Sequence, residues 1–220
     1  MRGPGNQTLA TLFLMAFSLA EPGLTQVRSD DAGRLKPLPK LIEALGAKPG
    51  ARIADVGSGD GFYSLQIASA VLPGGRVTAT DIDAEGLVRL KTHIENGKVT
   101  NIDVVQGRPD DPLLEPNTLD AALIRNAYHE MTEHQAMLRH IREALKPGGR
   151  LVVADRLLHN QREMSRADQA AVHQIAPAFV VADLLAAGFK ILRLNQAFEP
   201  FGEAKNPGAY WLIVAVAPTK

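Results

Sequence analysis

Ala51-Arg-Ile-Ala-Asp55-Val-Gly57-Ser-Gly59-Asp-Gly61-Phe62 is the stretch whose reading decides the fold. A short apolar run ends in an acid, meets three alternating glycines and leads at once into a helix pattern from Tyr63 to Val71. Glycine lacks Cβ, so its backbone turns sharply and lets a ligand come close. A buried strand feeding a helix through such a turn is the corner where an open α/β sheet forms its ligand crevice. The stretch therefore predicts a site for a nucleotide-like cofactor.

The spacing narrows the cofactor. A dinucleotide fingerprint requires G-x-G-x-x-G, its third glycine packing helix against strand. Here that position is Phe62, and the third glycine comes one residue early, at Gly61. Asp55 also stands at the strand end. Its charge repels a pyrophosphate in a low-dielectric cleft and attracts an ammonium-bearing ligand. Both features disfavour a nicotinamide oxidoreductase.

Outward from this corner the elements alternate. A compact helix is expected from near Pro39 to Gly46. Arg76 to Thr80 reads as a second strand running into Asp81-Ile82-Asp83, followed by a helix from Ala84 to about Ile94. Ile102 to Val105 and Leu119 to Ile124 read as the third and fourth strands. Thr132 to Leu145 carries Met137, Leu138, Ile141, Ala144 and Leu145 on one helical face, and Lys146-Pro-Gly-Gly149 stops it. Leu151 to Ala154 is the fifth strand, Val181 to Ala187 a helix stopped by Gly188, and Lys190 to Leu194 and Trp211 to Val216 the last two strands. Strands and helices in alternation imply an α/β fold, with a mostly parallel sheet and helices on both faces.

With 220 residues the chain has room for one full core. Lys+Arg and Asp+Glu both number 24, so global charge points to neither nucleic acid nor anionic membrane. The absence of cysteine excludes disulfides, thiolate metal sites and cysteine nucleophiles. Leu9 to Ala20 is an apolar run after a weakly positive start, with small residues at Ser18 and Ala20. This is the pattern of a secretory signal over residues 1–20, and it predicts export; a cytoplasmic protein with an N-terminal capping helix is the alternative. Residues 21–37 are expected to be a flexible lead-in to a domain over 38–217.

Asp55-Val-Gly-Ser-Gly-Asp-Gly61 resembles the first motif of the class I S-adenosylmethionine-dependent methyltransferases. Leu145-Lys-Pro-Gly-Gly-Arg-Leu-Val-Val-Ala-Asp155 resembles their helix-turn-strand signature, and Ala187-Gly188-Phe189 with the strands after it resembles their terminal antiparallel hairpin. The resemblance covers about Lys40 to Ala217. It implies a Rossmann-like seven-stranded, mostly parallel sheet with an antiparallel last strand. Its implied cofactor is S-adenosyl-L-methionine. Asp55, Gly57, Gly59 and Gly61 would hold the methionine end, Asp81 the ribose hydroxyls and Ile82 the adenine face. Asp110 or Asp111 would take the adenine amino group, although Asp-Pro clusters are also common turn chemistry. Asp83 rivals Asp81 for the ribose but suits a helix cap better.

Methyl transfer from a sulfonium needs alignment more than a strong catalytic constellation, because the cofactor supplies the hard chemistry. The candidates follow the fourth strand in Arg125-Asn126-Ala-Tyr128-His129-Glu130, a pattern that resembles small bacterial methyltransferases. Asn126 and Tyr128 are placed by that resemblance, and His129 is the natural general base near neutral pH. The segment lacks the prolines of Asn-Pro-Pro-Tyr, which enzymes methylating nucleic-acid bases carry. With the neutral charge, this favours a small-molecule acceptor over DNA or RNA. His159 and His173 fall in a stretch that often covers substrate. His129-Glu-Met-Thr-Glu-His134 is one residue too long for a zincin motif. Histidines five apart on a helix lie about 140° around from each other, so no metal is expected from that pair. A non-catalytic module that keeps the cofactor pocket is the competing reading.

Overall fold

The computed structural model describes residues 31–219 of the chain. The leader-like segment 1–20 and the first part of the lead-in therefore lie outside the described residues. The rest of the lead-in differs from its expectation, because Asp31–Leu35 forms a short helix, α1. Arg34 anchors it: the guanidinium donates to both oxygens of Asp60 at 3.1 and 2.9 Å and lies 4.0 Å over the Phe62 ring.

Seven strands form one sheet. They are β1 (Arg52–Val56), β2 (Arg76–Asp81), β3 (Ile102–Gln106), β4 (Leu119–Arg125), β5 (Leu145–Leu158), β6 (Lys190–Glu203) and β7 (Asn206–Val216). Their order is β3-β2-β1-β4-β5-β7-β6, and β7 alone runs against the direction of the other six. The reversal of order at β1 and β4 makes the carboxyl ends of those two strands the topological switch point. The expected fold class is the one observed.

Pleating sorts the side chains. On one face Val56, Ile124, Val153 and Ile213 pack with Leu138 and Ile141 of α5 (His134–Ala144) and with Val180 and Leu184 of α7 (Pro177–Ala186). On the other, Ile53, Leu123, Val152 and Leu212 meet Leu41 and Leu45 of α2 (Leu38–Leu45) and Ile67 of α3 (Phe62–Ala70). Adjacent strand residues point to opposite faces, and this run of Val, Ile and Leu buried on both sides is what a parallel sheet requires. Among the described residues no helix is long and apolar enough to cross a membrane.

The glycine corner is built for close packing. Gly61 sits at φ 78°, and a Cβ there would come within 2.1 Å of Leu90 Cδ1 on α4 (Ala84–Gly97). Leu90 is fully buried. The Gly61→Ala variant thus combines left-handed strain with overpacking, and urea unfolding should show a loss of about 2–4 kcal/mol. A loss below about 1 kcal/mol would mean that Leu90 yields without cost.

The structure extends the sequence reading at the C-terminal edge. β5, β6 and β7 run well past the spans expected for them, so the final hairpin projects above the carboxyl end of the sheet. Asn195 to Glu203 contains Pro200 and Gly202, and Asn206 to Tyr210 contains Pro207 and Gly208. Such residues read as turn chemistry, yet proline is tolerated on an edge strand. A short helix, α6 (Arg166–Ala171), also lies in the segment after β5.

Candidate functional site

Two cavities meet above the ends of β1 and β4. The first, of about 490 Å³, runs from Asp81, Ile82 and Pro109 to Glu130 and Met131. The second, of about 560 Å³, is walled by Arg34, Asp55, Tyr63, Arg125, Glu199 and Tyr210. Gly57, Gly59 and Asn126 border both. A Cβ on Gly59 would meet nothing within 4 Å, so that backbone edge is open to a ligand. Gly57 instead faces Ala127, whose Cβ would lie 2.5 Å from a Cβ placed there.

Asp81 fixes this loop. One carboxylate oxygen accepts from the Gly59 backbone N–H at 2.7 Å, the other from that of Asp83 at 2.8 Å. A carboxylate offers about four lone-pair sites, so each oxygen keeps one for a ligand hydroxyl. Asp83 takes the other role considered for it: its side chain caps α4 by accepting from Glu85 N at 3.0 Å. Ile82 is 58% exposed and lines the first cavity as an apolar face. From the segment after β3, Gly107, Arg108, Pro109 and Pro112 line that cavity, whereas the Asp110 and Asp111 side chains are not part of the lining. Asp111 accepts from Leu113 N at 2.8 Å within its own turn.

Asp55 is buried and accepts from Ser64 Oγ at 2.6 Å. Burial, reinforced by the charge of Asp81, raises its pKa to about 6 despite the Ser64 hydrogen bond. Two polar atoms in the second cavity's walls, Ser58 Oγ and Arg125 Nη1, are buried without a protein partner. Arg125 is held rigidly: Nε donates to Tyr63 Oη at 2.7 Å, Nη2 to Glu199 at 3.1 Å, and the guanidinium stacks 4.7 Å over Tyr210.

The segment after β4 divides its side chains among three places. Asn126, at φ 54° and exposed, reaches both cavities. Tyr128 turns away from them, and its hydroxyl donates at 2.9 Å to Asp183 of α7. Burial and the Asp183 charge push that phenol well above its ordinary range. His129 is buried, with Nδ1 at 3.0 Å from both oxygens of the fully buried Asp155. Its Nε2 faces the Glu130 carboxylate at 3.4 Å. Neither His129 nor His173 lines either cavity, and the two stand together with ring centroids 5.6 Å apart. His134 pairs with Asp183 instead, at 3.5 Å, so the two histidines of the near-zincin motif are separated.

Tyr63, Asp155, Glu199 and Tyr210 were not legible as site residues. Asp155 alone carried a signal, an acid following an apolar strand just as Asp55 and Asp81 do.

A family described as a methyltransferase domain matches residues 47–199, and the chain belongs to it. Its family and its fold are those of the class I S-adenosylmethionine-dependent methyltransferases. Over 115 residues, 52% of the chain, it is 32% identical to a ubiquinone/menaquinone biosynthesis C-methyltransferase of Ectopseudomonas mendocina, covering 45% of that protein. It thus spans about half the length of the curated relatives it matches. A methyltransferase from Aquifex aeolicus shares the fold at a TM-score of 0.70 and 23% identity, over 86% of this chain and 94% of that one. The [4+2]-cyclase SpnF does so at 0.72 and 20%, over 87% and 83%.

The residues present fit S-adenosylmethionine. The open edge of Gly59, the spare lone pairs of Asp81, the apolar Ile82 and the buried Asp55 carboxylate match a ligand carrying a ribose, an adenine and an ammonium group.

Proposed function

We propose that the chain transfers the methyl group of S-adenosylmethionine to a small-molecule acceptor seated between the second cavity and the loop after β4. The carrying observation is the meeting of two cavities at Gly57, Gly59 and Asn126. Bound cofactor supplies a sulfonium methyl, and the protein's task is to align an acceptor atom with it, which alone can lower a barrier by about 7–11 kcal/mol. Asp81 and Ile82 would hold the nucleoside and Asp55 the amino group. Asn126 would position the methyl-bearing end from the rim that both cavities share. His129, oriented by Asp155, would activate the acceptor from beside Glu130, although its own side chain is 1% exposed and lines neither cavity.

The walls of the second cavity suit an oxygenated, planar acceptor: two tyrosine rings flank the Arg125–Glu199 pair. Likeness to C-methyltransferases of quinone biosynthesis supports the same class. The fold does not fix the reaction, since a [4+2]-cyclase shares it.

Calorimetric titration with S-adenosylmethionine and S-adenosylhomocysteine tests the reading. Micromolar binding of both is expected, followed by incorporation of labelled methyl into hydroxylated ring acceptors; absence of binding overturns it. Binding without transfer to any acceptor would favour the non-catalytic module. His129→Gln should leave cofactor affinity within about twofold and lower turnover by about a hundredfold or more, as loss of an acid–base group does. His129→Ala is less informative, because it leaves the buried Asp155 carboxylate without its imidazole partner.

A further inference from the structure

His129 Nε2, the Glu130 carboxylate and His173 Nδ1 converge from two distant segments of chain. Their ligating atoms all lie within 4.8 Å of one another. Glu130 Oε1 stands 3.4 Å from His129 Nε2 and 3.4 Å from His173 Nδ1. These separations are long for hydrogen bonds, whose donor–acceptor distances run about 2.7–3.2 Å. They equal the edge of a tetrahedron around a metal with ligands at about 2.1 Å, which is about 3.4 Å.

A second feature points the same way. His129 is clamped on its far nitrogen by Asp155, which also accepts from the His129 backbone N–H at 3.2 Å. Carboxylate bound to the distal nitrogen fixes a metal-ligating histidine's tautomer and leaves its other nitrogen as a lone-pair donor. Asp155 is fully buried and the His129 side chain is 1% exposed, so this ligand is rigidly aimed. Glu130 and His173 are exposed, at 64% and 65% of their side chains, so the cluster is reachable from solvent.

We infer that His129, Glu130 and His173 form a site for a divalent first-row transition-metal ion at the rim of the first cavity. Two imidazoles and one carboxylate are the donor set of catalytic zinc and of non-haem iron, and the nitrogen donors disfavour magnesium and calcium. Three protein ligands leave a position open to water or to an oxygen of the acceptor. Glu130 is both a ligand and a wall of the first cavity, so a bound ion would offer Lewis acidity to an acceptor there, in place of the general-base role given to His129. That role rests on the methyl-transfer reading; the metal site does not.

Cobalt(II) titration of the chelator-stripped, tag-free protein, followed by visible absorption, tests the site. The expected result is one equivalent bound with the intense bands of a four- or five-coordinate ion, displaced by zinc. His173→Ala and Glu130→Ala should each abolish these bands, and both residues are exposed enough to be replaced without harm to the core. Asp155→Asn should weaken binding by about 10–100-fold, the effect of losing a histidine's carboxylate partner. Absence of stoichiometric binding, or bands that survive His173→Ala, overturns the inference. Cofactor titration of His173→Ala separates the two claims. Cobalt binding without S-adenosylmethionine binding in the parent protein would sink the methyl-transfer reading alone, and the converse would sink the metal site alone.

Discussion

Asp55→Asn is expected to stabilise the unliganded protein while weakening its hold on S-adenosylmethionine. Asp55 is buried with Ser64 Oγ as its hydrogen-bonding side-chain partner, and its pKa rises from 3.8 to about 6. The folded state therefore keeps a proton that the unfolded chain releases. This group's stabilising contribution is complete below about pH 4 and is lost as pH rises through about 6. A shift of about two units corresponds to about 3 kcal/mol. Asparagine keeps the acceptor for Ser64 and carries no charge. The variant should match the parent near pH 4 and exceed it at pH 8 by about 3 kcal/mol, a Tm rise of about 6–12 °C for a chain of this size. Cofactor affinity should fall by about a hundredfold at pH 8, the loss of one charge-assisted hydrogen bond of up to 3 kcal/mol. Thermal melts across pH with paired calorimetry check both halves. A variant no more stable than its parent at pH 8 would show that Asp55 is not burdened by its burial.

The second large effect is at Asp81. Asp81→Ala removes the acceptor for Gly59 N and the two lone pairs left for ribose hydroxyls. Two hydrogen bonds to a charged group contribute about 1.5–3 kcal/mol each, so affinity should drop by more than about a hundredfold. Asp81 is partly exposed and the β1–β2 pairing does not involve its side chain, so the sheet should stay folded, with the melting temperature lowered only by the loss of the two backbone hydrogen bonds it accepts. Unchanged affinity would remove the ribose from this carboxylate.

Strand-end acids and glycines are local signals, and the structure puts Asp55 and Asp81 at the glycine corner where those signals place them. The order of strands was readable for a related reason: residues buried on two faces must be apolar without interruption, and β1, β4 and β5 are. What escaped reading is what depends on distant contacts. Tyr128 stands in the same short motif as Asn126 and His129, but only the fold shows that Asp183 draws its hydroxyl into the core. Asp110 and Asp111 lie in a segment that does line the first cavity, yet its glycine, prolines and Arg108 form the wall. Glu199 and Tyr210 sit among prolines and glycines that read as loop, and only pairing with β5 makes that region a hairpin. His173 meets His129 through a fold of the chain that no spacing announces.

That hairpin bears on how such a protein can change. The strands that carry Asp55, Asp81 and Asn126 are central, short and closely packed, whereas Glu199 and Tyr210 ride on a projecting ribbon at one edge. Lengthening or trimming the ribbon by matched pairs of residues would reshape the wall of the second cavity while leaving the central strands untouched. Register between β6 and β7 already slips at two places, between Ile191 and Arg193 and between Asn195 and Glu199, so the sheet tolerates added length there. The glycine corner and its acids are thus anchored in the part of the molecule least free to vary, and the outer wall of the second cavity hangs from the part most free to do so.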